Sequence, residues 1–570
     1  MPAFFRFEII HSPWRSVYLY GVHRIRKGNN MKQGKQSFMK GAAILAVAAF
    51  VTKLLGAVYK IPYQNITGNE GMFVYQQVYP LYSTLLTVAT AGFPIAVSKL
   101  VSERLAWGDE EGARRVFRVT SVILTLSGLA LFFLLYLGAP IVAGWMGSRA
   151  LLTLPIQAVS TALLVVPIMS VIRGYFQGHR NMTPTAVSQV VEQGVRVVTI
   201  LTLAWWFTVK GYGVVYAGAG AVFGAFTGAV AGLVVLLFYW NQNQRVMAPI
   251  PPRSSAAPGE PTGSLVRRLV ALSIPISLGA LVLPLFSLAD SFTVSNLLEV
   301  GGWSPAEAVE WKGIYDRGQP LIQFASFFAT ALSLSIVPVI AEAQTLRDGR
   351  KIADRSALAL RLTLFMGLPA SLGLALVAYP TNVMLYKDGD GSEALAILAV
   401  TTLFSTLAMT SSGILQGMDR VVLPACNLGV GIGVKLVGNV FLIPLLDIRG
   451  AALATVLGYA TAAILNLLAI RNRVGSLFRL GPAKIPLLLS TLLMGSVVWG
   501  VVQGTGWVTA GWSPRLSMTA ASLSGVMVGA AIYGAALLGL GVVRRRDLER
   551  IPKIGGKLIP WMERFHLLKS

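Results

Sequence analysis

The runs GYFQG at residues 174–178 and GILQG at residues 413–417 stand 239 positions apart, and GVR at 194–196 is answered by GVK at 433–435 across the same distance. Asp109 and Asp348 share the offset. Gly174, Gln177, Gly178, Gly194, Val195, the Arg196/Lys435 pair and Asp109 thus make seven matches at one spacing, which indicates an internal duplication. Each match falls at the same place among long apolar runs, so the duplicated unit is a block of such runs.

A membrane-spanning helix needs about 20 mostly apolar residues to cross roughly 30 Å of hydrocarbon. Fourteen segments qualify: 39–61, 73–97, 119–138, 150–172, 184–208, 212–238, 269–296, 318–341, 359–385, 394–412, 421–445, 450–470, 485–503 and 517–541. The runs are continuous rather than alternating, which excludes a membrane β-barrel. Charged residues make up 13% of the chain, against about 25% in soluble proteins, and mean hydropathy is +0.65. Such a composition excludes disorder and coiled coil, and the single Cys426 excludes a disulfide scaffold. The expected fold is therefore an all-α polytopic membrane protein of about fourteen helices: two six-helix lobes, 39–238 and 269–470, with two further helices in 485–541.

Net charge is +24. The cations lie mostly in short loops, without the folded basic patch that nucleic acid requires, so no nucleic-acid partner is expected. Loops after even-numbered spans hold twenty-one Lys and Arg, and loops after odd-numbered spans hold eight. Cytoplasmic loops carry the excess of cations, which places the even loops and both termini in the cytoplasm of a bacterial plasma-membrane protein. Six spans is an even number, so the two copies share one orientation and are related by an axis along the membrane normal.

Residues 1–38 read as a basic cytoplasmic segment. Met31 opens a compact basic leader, and 1–30 reads as a misassigned start. Residues 239–268, rich in Pro, Ser and Gly, read as a cytoplasmic linker. The tail 542–570 is basic and amphipathic, with Trp561, Phe565 and Leu568 near one face, which suits contact with anionic lipid of the inner leaflet.

Ionisable residues inside spans mark the candidate site. A Lys or Arg at mid-bilayer costs roughly 2.5–3.5 kcal/mol on the insertion scale. Lys53, Arg196 and Lys435 all lie near span centres, and an anionic ligand in a water-filled cavity would offset that cost. Glu192 stands four residues before Arg196, so the two can also neutralise each other. Lys60 is counted with Lys53, Arg196 and Lys435 as a candidate to bind the anionic ligand, although it is better placed than Lys53 to reach the external interface. Asp290 follows Pro275 and Pro284, residues that interrupt helical hydrogen bonding; it suits either a coupling-ion site for Na+ or H+, shared with Glu192 as a second candidate, or a partner for a cavity cation. Gly220, Gly224, Gly228 and Gly232 form a small-residue stripe that reads as packing within the first lobe.

The stretches Thr52-Lys53-Leu54-Leu55-Gly56, Gly92-Phe93-Pro94-Ile95-Ala96-Val97-Ser98-Lys99 and Gly174–Gly178 resemble the polysaccharide-exporter branch of the MATE-like (MOP) superfamily, most closely the stage V sporulation protein B group, related to the lipid II flippase MurJ. The resemblance runs from about residue 36 to 541. It implies a two-lobed transporter that moves lipid-linked saccharides, polyprenyl diphosphate sugars such as peptidoglycan precursors, across the plasma membrane by alternating access, for cell-wall, spore-cortex or polysaccharide synthesis. It also implies that Lys53 occupies the first of the family's basic positions in span one. Lys60 lies one residue beyond the second, which favours a lipid-linked saccharide in general over lipid II itself.

Two other readings stand beside this one. A cation-coupled drug antiporter of the same superfamily would want carboxylates in the cavity, and here cations exceed acids. A membrane glycosyltransferase or ligase would need external acids, yet Asp388-Gly389-Asp390 with Gly391 reads as a turn and the external stretch QNITGNEG offers only Glu70. Four histidines and one cysteine supply neither a zinc site nor a Cys/His pair. The expectation is a non-enzymatic, monomeric transporter without a resident cofactor.

Overall fold

A computed structural model describes residues 44–45, 47–90, 92–244, 260–475 and 484–540. The N-terminal segment 1–38, most of the linker and the tail 542–570 lie outside the described residues. All described elements are helical: α1 (47–58), α2 (Lys60–Thr90), α3 (Phe93–Ala106), α4 (Glu110–Trp145), α5 (Arg149–Ser160), α6 (Ala162–Gly178), α7 (Thr183–Val209) and α8 (Val214–Gln244) in the first half. The second half holds α9 (Thr262–Val300), α10 (Pro305–Asp316), α11 (Gly318–Thr345), α12 (Gly349–Leu376), α13 (Ala378–Tyr386), α14 (Ser392–Gly417) and α15 (Val422–Val474), followed by α16 (Lys484–Val508) and α17 (Pro514–Gly539). The described parts of the expected spans are almost wholly helical, and ten of the described stretches are long and apolar enough to cross a membrane.

The helices outrun the apolar segments, because hydropathy marks only the part that meets hydrocarbon. α4 begins nine residues before residue 119: the Asp109 side chain accepts from the Gly112 N–H at 2.7 Å, and Glu110 and Glu111 suit the positive end of the helix. For the same reason the linker is shorter than 239–268, since α8 continues to Gln244 and α9 starts at Thr262. The fourth expected span is divided at Thr161 and the ninth at Val377.

Two helices hide reversals. At about 1.5 Å per residue α15 would be ~80 Å long, far beyond one bilayer. Its backbone leaves helical geometry at Asp447 (φ 54°, ψ −139°), and its arms fold back on each other: a Cβ on Gly431 would lie 2.5 Å from the Gly458 carbonyl, and one on Gly438 2.9 Å from the Ala454 Cβ. α2 does the same at Gly68 (φ 74°, ψ −170°), a conformation that only glycine adopts readily. There Tyr63 OH donates to the Gly71 carbonyl at 2.9 Å, and Tyr59 meets Tyr75 through their hydroxyls. The stretch expected as an external loop, QNITGNEG, is thus helix on both sides of Gly68.

The duplication is written into the packing. α6 closes on α3 because a Cβ at Gly174 would lie 2.7 Å from the Pro94 carbonyl, and one at Gly178 2.7 Å from the Val101 Cβ. α14 closes on α11 in the same way, with Gly413 against the Ser333 carbonyl at 3.0 Å and Gly417 against the Ile340 Cβ at 2.7 Å. Each partner is 239 residues from its counterpart, like the glycines themselves. Asp348 repeats the cap of Asp109, accepting from Lys351 N–H at 2.9 Å. Two matched lobes result, and α16 and α17 pack outside them, where Tyr533 OH donates to the Phe365 carbonyl at 2.7 Å.

The lobes touch at both ends of the bundle. At one end Gly92 N–H donates to Ser277 Oγ at 3.0 Å, and Arg268 pairs with Glu103 and Arg104 with Glu260. At the other end α10 lies against the Gly68 reversal. A Cβ on Gly313 would stand 2.1 Å from the Asn69 carbonyl, and Asn69 Nδ2 donates to Glu310 at 2.5 Å. α10 is held there by a capping box in which Glu307 accepts from both Ser304 N–H and its hydroxyl, bonds that keep the Glu307 carboxyl below the usual carboxylate range.

Candidate functional site

Small residues on α8 let α7 approach backbone to backbone: a Cβ on Gly228 would lie 2.6 Å from the Glu192 carbonyl, and one on Gly224 3.0 Å from that of Arg196. This seats Glu192 and Arg196 toward the space between the lobes. Arg196 donates to one Glu192 carboxylate oxygen at 2.8 Å, and Arg173, on α6, donates to the other at 2.9 Å. A carboxylate bridging two guanidiniums leaves one positive charge over. Arg173 is a loop cation by hydropathy; because α6 continues to Gly178, it belongs to the site.

The counterpart of Arg196 is handled differently. Lys435 is 1% exposed, and its ammonium lies 2.8 Å from Asp290 and donates to the Phe286 carbonyl at 2.9 Å. Asp290 also accepts from Tyr315 OH at 3.1 Å, and Tyr315 contacts Thr455. α9 runs unbroken through Pro275 and Pro284, so the carbonyl that receives a cation here is that of Phe286, taken up by Lys435.

Lys53 on α1 is exposed to the central space, with no ion-pair partner among the described residues. Lys60 does not reach outward to an interface. It is 4% exposed, faces inward, and its nearby counter-charge Asp316 is already bound by Lys312 at 2.5 Å. Lys312 and Asp316 are four apart on α10, a readable i,i+4 pair on a segment that hydropathy alone treats as loop.

These groups surround a cavity of about 780 Å³ between the lobes, lined from α1, α2, α6, α7, α9, α10, α11, α14 and α15. Lys53, Lys60, Arg173, Arg196 and Lys312 line it together with Glu192, Asp290 and Asp316; Lys435 stands behind Asp290 without lining it. Five lining cations therefore face three carboxylates, and Lys435 adds a sixth positive charge behind the wall. Uncharged hydrogen-bonding groups complete the wall, among them Gln76, Tyr79, Gln189, Gln193, Gln319 and Thr401. Among the described residues no group of three His, Cys, Asp or Glu is placed to hold a metal ion.

The model of the polysaccharide biosynthesis protein family matches residues 38–344. The chain belongs to this family. Relatives similar along nearly their whole length are the uncharacterized membrane protein YabM of Bacillus subtilis, 35% identical over 92% of this chain and 96% of the relative, and the lipid II flippase MurJ of the same organism, 30% identical over 92% and 97%. Stage V sporulation protein B of Bacillus subtilis, whose group the span motifs singled out, is less similar at 27% over 92% and 99%. Among solved structures, lipid II flippase MurJ in an inward closed conformation superposes with a TM-score of 0.63 at 13% identity, over 89% of this chain and 100% of that one. An inward-facing MATE transporter of the MOP superfamily gives 0.59 at 17% identity, over 77% and 98%. At these identities the likeness is one of fold. This family member is thus a multi-pass membrane protein with the architecture of MOP transporters.

Proposed function

We propose that the protein is a flippase for lipid-linked saccharides, moving polyprenyl diphosphate sugars across the plasma membrane by alternating access of the central cavity. The observation that carries this reading is the surplus of cations in that cavity, above all Lys53 and Lys60, which have no ion-pair partner among the described residues. An unpaired ammonium withdrawn from water costs several kcal/mol, and a ligand with about two negative charges on its diphosphate offsets that cost. The glutamines, threonines and tyrosines of the wall suit the hydroxyl and amide groups of the attached sugars.

With both termini cytoplasmic, outward passage of the anionic headgroup is favoured by an inside-negative potential, at about 2.3 kcal/mol per charge per 100 mV. Asp290 is engaged by Lys435, and Glu192 by Arg173 and Arg196. Neither carboxylate is free for Na+ or H+, which supports transport driven by the membrane potential. The likeness to MATE transporters suggests drug antiport as a second reading, but the same cationic surplus repels a cationic drug. The name of the 30%-identical relative supports lipid II as the cargo to try first.

The test is rescue of cells depleted of their lipid II flippase. The wild-type chain is expected to restore growth, and Lys53→Ala and Lys60→Ala to fail at equal expression. Rescue by both variants would remove the cationic cavity from the mechanism; failure of a well-expressed wild type would assign the cavity to another lipid-linked glycan.

A further inference from the structure

A second concavity, of about 420 Å³, opens at the end of the bundle where α10 and the Asp447 reversal lie, and shares no lining residue with the central cavity. Its size falls within the range of small-molecule sites, roughly 300–1,000 Å³. It is built on separate connections of the second lobe: Trp303 and Trp311 from the segment around α10, Tyr379 and the 389–394 stretch from α13 and the start of α14, and Asp447 to Arg449 from α15.

Its chemistry is specific. The rings of Trp303 and Trp311 lie 5.6 Å apart at 58° to each other and form an angled apolar wall. Trp303 donates its indole N–H to Asp447 at 2.7 Å, which fixes that ring. Asp447 holds a non-glycine positive φ outside the left-handed helical region, a strained backbone that persists only where surrounding structure enforces it. Tyr379 is 56% exposed and lies over Gly389, where a Cβ would come within 2.4 Å of its ring.

Around the rings stand unsatisfied hydrogen-bonding groups. Asp388 is used up by Arg317, which grips it at 2.8 and 2.9 Å and makes the expected turn, but the Asp390 carboxylate has no donor among the described residues. α14 starts at Ser392, after Gly391, without a side-chain cap, and the N–H groups of Glu393 and Ala394 have no acceptor among the described residues. Glu393 and Arg449 pair at 3.0 Å on the exposed rim.

We infer that this pocket is a saccharide subsite that binds a neutral sugar, its ring faces on Trp311 and Tyr379 and its hydroxyl or acetamido groups on Asp390, Arg449 and the open end of α14. A hydroxyl needs both donors and acceptors at close quarters, and both are present. A phosphate or other anion meets three carboxylates, Asp390, Glu393 and Asp447, against one arginine. A quaternary ammonium meets Arg449 and outward-facing N–H groups. The pocket's net sign is thus opposite to that of the central cavity, which disfavours an anion, and its donors and acceptors set side by side around the ring faces suit a polyhydroxyl ligand best. α10 presents Trp311 to this pocket and Lys312 and Asp316 to the cavity, so the subsite lies directly behind the cavity wall.

The test measures binding rather than transport, so it stands or falls apart from the flippase reading. Saturation-transfer NMR on the full-length protein in detergent would use N,N′-diacetylchitobiose, cellobiose, tetramethylammonium and inorganic phosphate as probes. The wild type is expected to bind a disaccharide, and Trp311→Ala and Tyr379→Ala each to weaken it by about tenfold, the loss of one stacking face. Trp107→Ala, which removes an exposed ring near Arg104 at the opposite end of the bundle, is expected to change nothing. No sugar signal with wild type, a signal undiminished in both variants, or binding of tetramethylammonium or phosphate in place of sugar would each overturn the assignment.

Discussion

The Lys435 ammonium lies 2.8 Å from the Asp290 carboxylate, joining α15 to α9 across 145 residues of sequence. Both groups are almost wholly buried, and the Phe286 carbonyl and ring complete the ammonium's surroundings. Removing one partner of a buried pair strands the other charge, at a cost of about 3–5 kcal/mol. Lys435→Ala is therefore expected to lower the melting temperature of the purified protein markedly. The double variant Lys435→Met, Asp290→Asn should recover most of the loss. An unchanged melting temperature in the single variant would show that the pair does not hold these helices together.

Lys60 leads to the opposite expectation for stability. The residue is 4% exposed while Lys312 occupies Asp316. The desolvation of a buried charge without an ion pair is uncompensated in the empty protein. Lys60→Met should hold or raise the melting temperature while abolishing rescue, the trade expected when a strained group serves function. Lys53, already exposed to the cavity, should on replacement by Ala lose rescue with stability changed by less than about 0.5 kcal/mol. A fall in stability that parallels the loss of rescue in both variants would assign these lysines to the fold instead.

The approach of α7 to α8 gives a third expectation. A Cβ at Gly228 would stand 2.6 Å from the Glu192 carbonyl and 3.0 Å from the Arg196 Cβ. Gly228→Leu must push the helices apart, at about 1–3 kcal/mol, and carry the Arg173–Glu192–Arg196 cluster with them, so both melting temperature and rescue should fall. Gly534→Ala, where nothing lies within 4 Å, should be silent in both assays.

The spans and the duplication were legible because a bilayer demands continuous apolar runs, and because close helix packing preserved Gly174, Gly178, Gly413 and Gly417 at one offset. Arg196 and Lys435 were found by the same alignment. Arg173, Lys312 and Asp316 escaped because hydropathy stops where polar turns begin, although capped helices continue past that point. The role of Asp290 stays open in the sequence between a coupling-ion site and a partner for a cavity cation, since Lys435 lies on another helix and no local spacing links the two. Lys60 is open in the sequence for a related reason: at a span end it can either snorkel or face the cavity, and only the fold of α10 over the Gly68 reversal shows that it is covered.

That covering contact supplies the last expectation. Asn69 and Gly313 come from opposite lobes and touch so closely that a Cβ on Gly313 would lie 2.1 Å from the Asn69 carbonyl. If cargo passes through the central cavity by alternating access, the α2–α10 contact must part once in every cycle. A disulfide between cysteines at Asn69 and Glu310, whose side chains already meet across this contact, would prevent it, and the natural Cys426, exposed on α15, would first be replaced by Ser so that it takes no part. Asn69→Cys, Glu310→Cys is expected to lose transport under oxidising conditions and regain it on reduction, whereas either single cysteine should respond to neither treatment. The readout is appearance of the lipid-linked saccharide at the outer leaflet of cells or vesicles. Transport that continues through a fully formed cross-link would mean that these lobes do not separate here, and that the cavity loads and empties from the Gly92–Ser277 end alone.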